Sequence, residues 1–204
     1  LHNTLFPYTT LFRSVKPAAI VAGLLVVGAL LVPAEQWERF ETAGEDNTSR
    51  ARLEYWQDGI EIMNRHPLFG VGYENWLPYY RDHYSGQGQY GTSQVPHNPF
   101  IEAGAELGYS GLITFLLLIF GTFSVNLKTR RIGRRLGPDS KIFLRMGYAL
   151  DAALVGFLVS GFFVTVLYYP YFWVNLAMTA ALNVSARKRF AESHRTRSAA
   201  ENPP

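Results

Sequence analysis

Arg52, His97 and the pair Glu102 and Glu106 are the side chains whose types and spacing suit chemistry. A guanidinium offers a planar fork of donors that matches the oxygens of a phosphate or diphosphate. Arg52 stands four residues before Trp56 in RLEYW. At about 100° per residue it shares a helix face with Trp56, Gly59 and Met63, whereas Arg50 points away. The alternative use of such a position is an arginine that snorkels past apolar neighbours. His97 precedes Asn98 and Pro99, an N-cap and a first-turn proline, so its imidazole sits at a helix mouth. The helix dipole disfavours the imidazolium there and leaves a neutral ring able to accept a proton, the property a general base needs. A solvated loop histidine is the plain alternative. Glu102 and Glu106 are one turn apart on that same helix, where they orient the histidine, bind an acceptor or are solvated. Paired carboxylates also suit glycoside hydrolysis, a chemistry that depends on a facing geometry.

The elements that must position these groups are helices. Asn47, Thr48 and Ser49 offer N-caps, and Leu53, Trp56, Ile60 and Met63 then recur at helical spacing until His66-Pro67, which predicts an amphipathic helix over 50–65. In HPLFGVGYENW, residues 66–76, proline breaks the helix and Gly70 and Gly72 permit turns that side chains would block. Two glycines with neither a lysine nor a strand-helix pattern do not make a phosphate loop. YYRDHYSGQGQY, residues 79–90, has the composition of an adaptable lining or a mobile surface loop. It contributes Arg81 as a second phosphate candidate and His83 as a solvated histidine. The second helix runs from Asn98 and Pro99 to Leu107 and is closed by Gly108.

Composition places this machinery at a membrane. Across 204 residues the chain is 48% hydrophobic with a mean hydropathy of zero, yet the apolar residues gather in long uncharged runs, a segregation no single soluble core produces. Val15–Val32 (with Lys16 as its basic flank), Tyr109–Leu127, Met146–Tyr169 (broken only by Asp151) and Tyr171–Ala186 are four candidate spans, the last two forming a hairpin over 146–186. The 128–145 segment is strongly basic and the 187–204 tail carries five further bases, so both belong on the cytoplasmic side. Residues 33–108, with twelve acids against five bases, then lie outside as a large helical loop holding the candidate site. Tyr168, Tyr169, Tyr171, Phe172 and Trp173 fit an outer aromatic belt. Asp151 falls near the inner interface, paired structurally beside Arg145. Residues 1–14 resemble a translated sequencing-adapter remnant and are set aside, and 199–204 read as a disordered end. With no cysteine, disulfides, thiolate nucleophiles and cysteine-bound zinc or iron-sulfur sites are excluded. Anionic inner-leaflet lipids account for the basic loop more simply than nucleic acid does.

Three pieces in this order, RLEYW (52–56), HPLFGVG (66–72) and HNPFIEAGAELGYSGL (97–112), resemble the O-antigen ligase and polysaccharide polymerase family of bacterial membrane proteins. The resemblance implies an all-α, multi-pass inner-membrane glycosyltransferase with a GT-C-like fold, its active site facing the periplasm. It also implies an undecaprenyl-diphosphate-linked glycan as donor, a lipid A-core or glycan acceptor, and neither cofactor nor metal. Carried onto this chain, it assigns His97 as catalytic base and Arg52 as the clamp on the leaving diphosphate. Arg81, Asn98, Glu102 and Glu106 complete a candidate substrate-binding set. Family members have ten or more spans and a further arginine on an upstream outer loop, so this chain reads as a C-terminal fragment, inactive alone. A transporter segment would place ionisable residues near mid-membrane, which the spans scarcely do. A non-catalytic glycan-binding module would tolerate loss of His97.

Overall fold

Long uncharged runs flanked by arginines leave a helix as the only way to satisfy the backbone in an apolar setting, and every described element is helical. The computed structural model describes residues 23, 26, 27, 47–84, 94–137 and 140–201. The chain divides into two compact units, Leu1–Arg50 and Ala51–Pro204. The leader and most of the first candidate span, 15–32, lie outside the described residues.

Among the described residues the helices are, in order, α1 (Asn47–Arg65), α2 (Trp76–Tyr84), α3 (Pro99–Leu136), α4 (Lys141–Gly161) and α5 (Pro170–Glu201). α3, α4 and α5 pack on one another around Ala103, Phe115, Ile119, Leu154, Leu167 and Phe172. A second cluster, Tyr55, Ile62, Trp76, Tyr80 and Ala105, joins α1 and α2 to the start of α3. Gly59 and Gly104 permit that approach. A Cβ on Gly59 would lie 2.3 Å from Ile101 Cγ2, and one on Gly104 would lie 2.5 Å from Met63 Sδ.

α3 and α4 are long and apolar enough to cross a membrane by length and composition. Ile113, Leu117 and Phe120 on α3, Val155 and Val159 on α4, and Val174 and Met178 on α5 are exposed, the positions lipid would cover. α3 is the longest of the described elements, 38 residues with a kink at Gly108, and its stretch beyond Gly108 alone, about 42 Å at 1.5 Å per residue, exceeds the bilayer's apolar thickness.

Several boundaries differ from the sequence reading. α1 begins at Asn47, so the three proposed caps are inside the helix. Its buried face is Tyr55, Gly59, Ile62 and Met63, whereas Leu53 and Ile60 are 50% and 45% exposed. Tyr55 wins the inner position because it meets Tyr80 edge-to-face, with centroids 5.3 Å apart. The basic segment expected as a loop is mostly helix, with Lys128 to Arg135 extending α3 and Lys141 opening α4. Likewise α4 ends at Gly161 rather than running to Tyr169. The tail is helical to Glu201 rather than a disordered end from 199.

Asp151 is paired as expected, though its partner differs. It sits halfway along α4, bonded to Arg130 of α3 and to Asn126 Nδ2, which donates at 2.8 Å. Arg130 also donates to the Gly147 carbonyl at 3.2 Å and lies 4.6 Å over the Tyr148 ring. α3 and α4 pack antiparallel, which puts 126 and 130 level with 151 and 147, a cross-helix register that spacing along the chain does not show.

Candidate functional site

His97 lies in the extended segment 94–98, and two indoles pin that segment. Trp56 of α1 donates to the Pro96 carbonyl at 2.8 Å, and Trp76 of α2 donates to the Gln94 carbonyl at 2.8 Å. Pro96 and Pro99 are fully buried. Asn98 Oδ1 accepts from the Phe100 and Ile101 amides at 2.9 and 3.2 Å, the N-cap its sequence foretold. Between these fixed points His97 holds φ +48°, a left-handed conformation that costs a non-glycine residue about 1 kcal/mol or more. Such strain persists only where surroundings over-determine it, and here the two indoles and the Asn98 cap do so.

The His97 ring is half-buried, with Nδ1 3.3 Å from Thr165 Oγ1. Its pKa is held below the ordinary histidine value, first by burial and second by the charge of Arg52. Both causes favour the neutral, proton-accepting form. The charge of Arg52 thus reaches the His97 ring, although the two are 45 positions apart in the chain. The Nε of Arg52 is buried with no hydrogen-bond partner among the described residues, a donor turned inward and unused. Trp56, one turn on, packs edge-on to Phe162 with centroids 5.6 Å apart and stacks on Phe163 at 6.3 Å.

Glu102 and Glu106 are both buried, at 5% and 2% exposure, so the solvated alternative does not hold. Glu106 is saturated. Its Oε1 accepts from the Trp76 amide at 3.0 Å, and its Oε2 accepts from the Glu74 amide at 3.1 Å and the Tyr168 hydroxyl at 2.7 Å. A carboxylate from α3 thereby caps the N-terminus of α2, where the helix's first amides lack internal partners. Glu102 is different. The Leu167 amide faces it, yet its pKa is pushed up to about 7, first by burial and then by the charge of Glu106. Its Oε2 has no partner among the described residues. Arg81 lies exposed on α2, with no described contact to His97 or Arg52.

The HPLFGVG corner docks backbone to backbone on α3 where that helix breaks. Gly108 has φ +72° and ψ −171° inside the helix. The Val71 and Gly72 amides donate to the Ala105 and Glu106 carbonyls at 3.0 and 2.8 Å, and Tyr109 N donates to the Pro67 carbonyl at 2.8 Å. A Cβ on Gly70 would fall 2.3 Å from the Glu106 carbonyl carbon, and one on Gly108 would fall 2.6 Å from that of Leu68. The corner replaces hydrogen bonds the helix gives up at its kink. Gly108 thus closes the helical stretch that starts at Pro99, as its sequence foretold, and a second stretch resumes at Tyr109 across the kink.

Sequence reasoning missed Thr165, Leu167 and Tyr168, which reach His97, Glu102 and Glu106 from the α4–α5 connector. The one available signal was the polar Thr165 in an otherwise apolar run, and it was absorbed into a span. Among the described residues no group of three or more His, Asp or Glu is arranged to hold a metal.

A family model described as O-antigen ligase matches residues 5–116, which includes Arg52, the glycine corner and His97. The exopolysaccharide production protein ExoQ of Rhizobium meliloti is 33% identical over 115 residues, 52% of this chain and 26% of that protein. The chain therefore spans about a quarter of the length of this relative.

Proposed function

Since the chain belongs to the O-antigen ligase family, we propose that it supplies the outward-facing catalytic loop of an inverting membrane glycosyltransferase, part of a GT-C-like fold. The donor is a glycan on undecaprenyl diphosphate, and the acceptor is a sugar hydroxyl of the lipid A core. The observation that carries this reading is the pairing of Arg52 and His97, in which one group is a half-buried cation whose inward Nε is a spare donor and the other a ring whose neutral form is favoured, in part by that cation.

The chemistry follows from those two states. His97 takes the proton of the attacking hydroxyl as the new glycosidic C–O bond forms, while the bond from the anomeric carbon to the diphosphate oxygen breaks with its electron pair. Arg52 meets the charge that develops on the leaving diphosphate. The proton held on His97 is later lost to solvent or to the departing phosphate. Arg81, exposed on α2, is a further phosphate contact, and Asn98, Glu102 and Glu106 shape the acceptor side. The acidic character of residues 33–108 against the basic 128–145 segment supports a periplasmic site on the bacterial inner membrane.

A second reading has another lipid-linked repeat unit as acceptor, making the enzyme a polysaccharide polymerase. The relative named for exopolysaccharide production favours it. Replacing His97 by alanine in the producing cell separates the two. A ligase variant leaves lipid A core without polymer, a polymerase variant leaves single repeats attached, and unaltered lipopolysaccharide and exopolysaccharide would overturn both.

A further inference from the structure

The connector between α4 and α5 lies along the first turns of α3 and touches them at three successive points. Thr165 Oγ1 is 3.3 Å from His97 Nδ1, the Leu167 amide faces Glu102, and the Tyr168 hydroxyl donates to Glu106 at 2.7 Å. Upstream, Phe162 and Phe163 pack on Trp56, the residue whose indole holds Pro96. Thr165 is therefore fixed from both sides, by aromatic packing before it and by buried carboxylates after it. His97 is equally fixed through its left-handed backbone, the Pro96 carbonyl and the Asn98 cap. The chain on either side of the 3.3 Å contact is thus held at several other points.

Nδ1 is thus the ring nitrogen that the protein holds, and Nε2 has no hydrogen-bond partner among the described residues. A threonine hydroxyl both donates and accepts, so the tautomer of the ring decides what the contact does. A base acting through Nε2 must carry its proton on Nδ1, and the hydrogen bond made by one nitrogen sets the state of the other. We propose that Thr165 is a positioning residue of the transfer site, its oxygen accepting the Nδ1–H of His97 so that Nε2 is bare and turned toward the attacking hydroxyl. The inference rests on His97 being the general base.

The test is nitrogen NMR of the 204-residue chain labelled at histidine, in lipid nanodiscs above the pKa of the ring, with His97→Ala to assign the signals. Wild type and Thr165→Ser are expected to show a protonated Nδ1 and an unprotonated Nε2 at His97. Thr165→Val keeps the branched shape without the hydroxyl, and the ratio of that tautomer to the other should fall by about three- to tenfold, the worth of one hydrogen bond. Unchanged His66 and His83 signals report that the valine chain is folded, and Thr165→Ala is the second variant expected to show the same loss. A wild-type proton on Nε2, or an unchanged ratio in both hydroxyl-free variants, would overturn the proposal. If His97→Ala left glycan transfer intact, the base assignment would fall while the tautomer result stood, so the two failures are distinguishable.

Discussion

Trp56 donates its indole N–H to the carbonyl of Pro96 at 2.8 Å, so the helix that carries Arg52 also fixes the residue before His97. The two candidate catalytic groups share one mechanical support. Trp56→Phe keeps ring packing against Phe162 and Phe163 but leaves the Pro96 carbonyl unpaired. It should cost about 1 kcal/mol locally, read as faster amide exchange over 94–98 with little change at α4 and α5. Unchanged exchange there would mean that Trp56 does not hold the segment.

The depressed pKa of His97 fixes a pH response. Its folded pKa lies below the ordinary 6.5, so the ring stays an unprotonated base to lower pH than a free histidine. The acid limb of a transfer pH profile should fall below 6.5 for that reason. Since the unfolded chain then binds more protons, stability declines as pH falls through 6.5 and levels off beneath the folded pKa. Arg52→Gln removes the second cause and leaves burial, so it should move the His97 midpoint upward without restoring it fully. A histidine titration by NMR reads this directly.

Glu102 has the opposite sign. Its folded pKa is raised from 4.5 to about 7, so the folded state binds the proton more tightly and stability is lost as pH climbs from 4.5 through 7. Glu102→Gln abolishes that loss. Relative to wild type its Tm should rise between pH 5 and pH 8, by the equivalent of at most about 3 kcal/mol. A parallel Tm profile for the two proteins would show that Glu102 is ionised throughout.

Glycine substitutions discriminate between the corner and the spans. Gly108→Ala and Gly70→Ala force a side chain into backbone at 2.6 and 2.3 Å with φ of +72° and +62°, and each should cost more than about 2 kcal/mol. Gly121 has nothing within 4 Å, so Gly121→Ala should be neutral or slightly stabilising. Thermal unfolding in detergent of the three variants tests the ordering.

The Arg130–Asp151 pair joins α3 to α4, with side chains 10% and 18% exposed. Removing one partner strands a charge and should cost about 3–5 kcal/mol, whereas replacing both by apolar residues should cost far less. Arg130→Met, Asp151→Leu and the double variant compared by thermal unfolding decide it. Additive losses would show that the two charges are independently solvated.

Much of this was legible in the residues, because the signals were local. Asn98-Pro99 is a cap and first turn whatever surrounds it, and His66-Pro67 stops a helix by sterics alone. The face of α1 was only half legible. Gly59 and Met63 point inward as the period requires, but the choice of Tyr55 over Leu53 was made by Tyr80, a partner 25 positions further on. Thr165 was hidden for the same reason, since nothing within a few residues of it says that the connector turns back onto His97. The glycines of the corner announced a turn, but the helix kink they cover was not readable, because each glycine is explained only by the backbone of the other piece.

The break at Gly108 divides α3 into two helical stretches. Below it, exposed Ile113, Leu117 and Phe120 must follow the thickness of the surrounding lipid by leaning. Above it, the turns that root the imidazole take their orientation from the splint of residues 67–72. The same splint also takes the Tyr109 amide below the break, so a lean of the shaft in a thinner or thicker membrane is passed on to the turns that carry the imidazole rather than absorbed at Gly108.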